Sequence, residues 1–265
     1  MSPTAKDAHP TPQPHKYTTL PNARKIIGQQ ADQLSSGTTH TQYLLFAPVP
    51  PRSFTNFDNS RYDRRSGVCV PKSARLAYDA DTEELVVKIM GLLRLECSNQ
   101  RTEEELVNTG ATTYKVGSES READSSFQPW KRGSDGWPSL VVGVGFEERV
   151  GMLRGDAGWW VVRSEGEVRI TVVIRLCRDE QRIVVETWEM PGVDEGRRVT
   201  RSSSSQAPVR TQEVRIEAVG VWGPPLVLGF EKVVERVPVP PEGDIVFSAQ
   251  DLRKWADKVW FRGGD

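Results

Sequence analysis

Histidine is nearly missing from this 265-residue chain: there are three, His9, His15 and His40, and the first two lie in a Pro/Thr/Gln-rich leader. A histidine-dependent triad would have to recruit His40 or that leader, and no HExxH stretch exists to hold zinc. Acid–base chemistry, if there is any, falls to carboxylates, lysine or arginine. Cysteine is as scarce. Cys69, Cys97 and Cys177 make an odd number with no CxxC, which argues against a disulfide scaffold or a structural zinc site. No apolar run approaches the length of a membrane span, and residues 1–20 lack the hydrophobic region of a signal peptide. The expectation is a soluble intracellular protein, cytoplasmic or nuclear, with no membrane partner. An excess of either charge is also missing, since 35 basic residues face 36 acidic ones. Net charge therefore gives no reason to expect nucleic-acid binding, although a local patch remains open.

What is present suits a globular domain: 37% hydrophobic and 27% charged residues, with 22 glycines and 18 prolines pointing to many loops. Residues 1–20 are poor in apolar side chains and rich in proline, so they read as a disordered leader; residues 21–265 read as a single domain. A helix is expected over Asn22–Leu34, with Ile26, Ile27, Ala31 and Leu34 as its stripe and Asn22 as its cap. YLLFA (43–47) reads as a strand, and the polar stretch 52–67 as a long loop. RLAYD (75–79) and ELVVKIM (84–90) flank a plausible hairpin turn. EEELVN (103–108) suits a short helix capped by Thr102, while ATTYKV (111–116) and READSSF (121–127) look like two strands.

The most apolar strand candidate is SLVVGVG (139–145), followed by a helix from Glu147 to about Arg163. EVRITVVIRL (167–176) and RIVVETWEM (182–190) form a second hairpin. The serine-rich segment 191–211 reads as a flexible insertion. Strands at 213–221 and 224–230 precede a last strand and a helix capped by Ser248, with Leu252, Trp255, Ala256 and Val259 turned inward. The fold class is α+β (mixed α/β), a central mixed sheet flanked by helices.

Nucleotide motifs fail on inspection. Gly143-Val144-Gly145 follows a strand, but the third glycine of GxGxxG would fall on Glu148, whose charge repels a phosphate. No P-loop sequence occurs. In READSSF, Glu122, Asp124 and Ser126 would share one face of a strand, and two such carboxylates could hold Mg²⁺. An ordinary charged strand edge fits the same spacing. Trp159 and Trp160 read as core residues, Asp156 as a partner for a neighbouring arginine, and RRVTR (197–201) as a solvated charge run.

The blocks GATTYKVGSESREADSSFQPW, WPSLVVGVG, LRGDAGWWVVRSEGEVRITVVIRL and GDIVFSAQDLRKWADKVW resemble a group of fungal proteins of unknown function. Their core is similar to the PD-(D/E)XK restriction-endonuclease fold. The resemblance runs from about Arg75 to Trp260 and implies a metal-dependent nuclease site, with nucleic acid as a possible partner. It places Asp124 at the first metal-binding aspartate. It places Gly143 where the group carries a glutamate, so one of two carboxylate ligands is missing. The expected lysine has no clear match; the following helix offers Arg154, and arginine stays protonated and cannot serve as a base. The His-Glu helix expected after ELVVKIM is also missing, and no spacing argument supports Glu96 as its substitute. The resemblance thus implies a degenerate domain, catalytically impaired, that acts as a binding or scaffold module without a cofactor. The alternative is an active Mg²⁺-dependent phosphodiesterase using Asp124, Glu122 and a further acid such as Glu147, with Arg154 beside them.

Overall fold

A computed structural model describes residues 14–36, 38–39, 42–60, 74–89, 105–110, 112–146, 150–177, 179–191, 207–223 and 225–261. The chain divides into two compact units, one of residues 1–93 and 111–124, the other of residues 94–110 and 125–265.

The first unit is built on a five-stranded antiparallel sheet in the order β1-β3-β2-β6-β5, formed by β1 (Tyr43–Phe46), β2 (Arg75–Asp79), β3 (Glu84–Lys88), β5 (Thr113–Val116) and β6 (Glu119–Glu122). Helix α1 (Leu20–Ser35) starts two residues earlier than expected. Thr19, not Asn22, is its cap, and Thr19 Oγ1 accepts from the Asn22 N–H at 3.4 Å. Proline in the first turn carries no N–H that would need a partner.

Part of the leader is ordered, because His15 bridges in parallel to Phe46; residues 1–13 lie outside the described set. The expected loop at 52–67 is corrected in its first half by α2 (Pro51–Ser60). Phe54 and Phe57, three residues apart, are both buried there, and Phe54 stacks on Tyr78 at a centroid distance of 4.1 Å. Ile27, Phe46, Val49, Leu85 and Val87 complete a fully buried core.

The second unit holds a seven-stranded sheet in the order β12-β11-β10-β9-β8-β7-β4. Its strands are β4 (Leu106–Asn108), β7 (Ser125–Pro129), β8 (Leu140–Phe146), β9 (Ile170–Cys177), β10 (Arg182–Glu189), β11 (Val209–Glu217) and β12 (Gly220–Trp222). All neighbours are antiparallel except β8 and β9, which run parallel across the connection made by α3 (Val150–Arg163). The fold is thus mixed α+β, with a central mixed sheet flanked by helices, as the patterning implied. β13 (Leu226–Leu228) and β14 (Ile245–Phe247) form a small separate ladder, with α4 (Phe230–Val234) between them. The last helix, α5 (Ala249–Phe261), follows Ser248, whose Oγ accepts from the Asp251 N–H while the Asp251 carboxylate accepts from Ser248.

Four expectations are corrected in this unit and at its border. The helix at 103–108 is a strand over its last three residues, held by pairing of Val107 with Gln128; tertiary pairing overrides the local helix preference. READSSF is not one strand: it breaks at Ala123-Asp124 into β6 and β7, which belong to different sheets. The insertion at 191–211 is shorter than expected, since β11 begins at Val209; residues 192–206 lie outside the described set. The segment 213–221 spans two strands joined at Ala218-Val219, because Gly220 already pairs with Glu217.

Candidate functional site

Asp124 is the last residue of the first unit, just past β6. Lys88, at the end of β3, sends its ammonium to Asp124 Oδ2 in a direct charge-assisted hydrogen bond. Both side chains are buried, at 8% and 4% exposure. The ammonium also lies 5.6 Å from the Tyr43 ring centroid. Arg75 Nε donates to the Ala123 carbonyl at 2.9 Å, where the expected single strand breaks.

Glu122 is equally committed: one carboxylate oxygen accepts from the Leu76 N–H at 3.1 Å and the other from Thr113 Oγ1 at 2.9 Å. It extends the sheet hydrogen bonding of β2 and β5, a structural duty. Among the described residues, no three His, Cys, Asp or Glu side chains come together in a group able to hold a metal. Glu147 and Glu96 lie outside the described residues.

In the second unit, Gly143 sits mid-strand in β8 on the face covered by α3, and a Cβ built there would meet Leu153 Cδ2 at 3.8 Å. That is ordinary contact distance, so space is not what requires glycine. Across the sheet Gly143 is in register with Val173, then Glu186, then Glu213. The next row on the same face runs Gly145, Arg175, Val184, Arg215, Trp222.

The charge on this face gathers at Glu186, which is fully buried. Arg154, one of the sequence candidates, donates from Nε at 3.1 Å and from Nη2 at 2.7 Å to its two oxygens. Arg175 Nη2 donates at 3.1 Å, Arg210 Nη1 at 3.3 Å and the Trp188 indole N–H at 3.0 Å. Burial alone would raise the Glu186 pKa. The Arg154 hydrogen bonds, the Arg154 and Arg175 charges and the indole outweigh it and hold the carboxyl below its ordinary value.

Arg154 is therefore an anchor for a buried carboxylate. α3 is further fixed by Trp159 and Trp160, which are buried and meet edge to face at 5.2 Å with Trp137 close to both. This bears out the core reading of the pair.

The residues that the sequence did not single out are Lys88, Arg175, Glu186 and Arg210. Three of them left a readable signal: Lys88, Arg175 and Glu186 are charges inside apolar strand runs, and a buried charge demands a partner.

No family model and no curated protein sequence matches the chain. Among solved structures, it is similar to a candidate nuclease belonging to DUF820 from Anabaena variabilis, at 11% identity and a TM-score of 0.38. The match covers 68% of this chain and 90% of that one. In the described residues, no helix is long and apolar enough to cross a membrane.

Proposed function

We propose that the chain is a degenerate PD-(D/E)XK nuclease-like domain that acts as a binding or scaffold module and not as a hydrolase. The observation that supports this most directly is the Lys88 ammonium bonded to Asp124, with both groups buried. A divalent ion needs that carboxylate as a hard oxygen ligand. An ammonium bonded to Oδ2 offsets the negative charge that would draw such an ion to this carboxylate. Gly143 supplies no ligand atom, and Arg154 is committed to Glu186 and cannot give up a proton at neutral pH. Each position that the resemblance assigns to the metal chemistry is therefore filled by another interaction or empty of a side-chain donor.

The test uses the full chain with Mg²⁺ or Mn²⁺ and single- and double-stranded DNA and RNA. The expected result is no cleavage above a metal-free control. Metal-dependent cleavage that Asp124→Ala abolishes would overturn the proposal and assign an active phosphodiesterase, with Glu122 and a further acid beside Asp124.

A further inference from the structure

The face of the seven-stranded sheet that carries Glu186 continues outward over β11 and β12. There, Glu213, Arg215, Glu217, Trp222 and Gly223 line an open cleft of about 360 Å³. Three features of the cleft point to one ligand chemistry. The first is a stacking surface. Trp222 is 47% exposed, and an added Cβ on Gly220 would touch its ring at 3.3 Å, so the indole lies along the strand with its ring across Gly220. Gly223, at φ +79°, brings the backbone so close to the Glu213 carbonyl that a Cβ would fall 2.3 Å from it; only glycine closes this wall.

The second feature is a linked set of guanidinium groups. Arg210 and Arg215 both bind the Glu213 carboxylate, and Arg210 also reaches Glu186, which holds Arg154 and Arg175. Four guanidinium groups thus share two carboxylates, although the cleft lining itself holds Arg215 against Glu213 and Glu217. The carboxylates are sunk, Glu186 fully and Glu213 to 19% exposure, while Arg215 is 59% and Arg210 41% exposed. The most exposed members of the network are therefore Arg215 and Arg210, each anchored by a less exposed carboxylate. The third feature is Glu217, half-buried in the cleft wall, where an acidic acceptor matches the amino hydrogens of a base.

We infer that this cleft is a nucleotide subsite: a base stacks on Trp222, its amino edge meets Glu217, and its phosphate is held by Arg215 and by Arg210, which lies outside the cleft lining but binds the same Glu213 carboxylate. Indole faces bind bases of any sequence, and the guanidinium N–H groups of Arg215 and Arg210 that point away from Glu213 and Glu186 are the donors for a phosphate oxygen. The subsite lies four strand positions from Gly145 along one row, roughly 19 Å at ordinary strand spacing. It does not depend on Asp124 or on the proposed loss of hydrolysis.

The probes are a fluorescently labelled single-stranded oligonucleotide, free CMP and AMP, inorganic phosphate, and poly-glutamate as a polyanion without bases. Saturable binding of the oligonucleotide is expected, weakened about tenfold by Trp222→Ala and by Arg215→Glu, each with an unchanged melting temperature. Displacement by CMP or AMP identifies a free nucleotide as a sufficient ligand; binding of the oligonucleotide alone identifies a strand segment, and both support the subsite. Equal binding of poly-glutamate, equal displacement by phosphate, no binding of any nucleotide probe, or full binding by both folded variants would overturn it.

Discussion

Lys88 and Asp124 show how little of a buried ion pair is legible one residue at a time. Asp124 stands out because of the motif around it, whereas Lys88 lies 36 residues earlier, and its place after three apolar residues calls for a partner without saying which. Removing the ammonium alone takes the Lys88 charge away from a buried carboxylate. Lys88→Met is accordingly expected to cost about 3–5 kcal/mol in urea unfolding, and the double variant with Asp124→Leu to recover much of it. If the single variant lost less than about 1 kcal/mol, the pair would not be buried in solution.

Glu186 gives a pH-dependent counterpart. Its folded pKa lies below the ordinary glutamate value, so its stabilisation is present above the unfolded value of about 4.3 and is lost as pH falls through the folded value. Glu186→Gln should therefore be less stable than wild type at neutral pH, with the gap narrowing below about pH 5. A gap that stayed constant down to about pH 3 would show that the carboxylate is not held ionised by its arginines.

Elements with an apolar period were legible, and those made by pairing partners were not. SLVVGVG, EVRITVVIRL and RIVVETWEM carry enough β-branched residues to declare themselves as β8, β9 and β10. The helix α2 was hidden because its only large apolar residues, Phe54 and Phe57, sit among seven polar or charged ones after a proline. β4 and the break between β6 and β7 depend on partners distant in sequence, which local propensity cannot report. The α3 helix is a clear intermediate case. Three glycines weaken it locally, yet it stands because Leu153, Ala157, Trp159, Trp160 and Val161 are buried. Trp160→Ala should therefore cost about 3–5 kcal/mol, measured by denaturant unfolding. A loss under about 1 kcal/mol would mean that α3 is not seated through this ring.

At the scale of the chain, aromatic residues separate the two units without any labelling. All eight tryptophans, at positions 130, 137, 159, 160, 188, 222, 255 and 260, lie in the second unit. All five tyrosines, at 17, 43, 62, 78 and 114, lie in the first. Tryptophan fluorescence therefore reports one unit, and second-derivative tyrosine absorbance the other. Each unit has its own apolar centre, around Phe46, Phe57 and Val87 in the first and around Ile170, Val172 and Ile183 in the second. Separate cores permit separate cooperative transitions. Lys88→Met is expected to lower the tyrosine-detected urea midpoint and leave the tryptophan-detected midpoint in place, with Trp160→Ala doing the reverse. Parallel shifts of both signals by either variant would make the chain one cooperative domain, as its sequence alone suggested. In that case the cost of removing the Lys88 charge from Asp124 would be felt by α3 and its tryptophans as strongly as by the strand that carries Lys88.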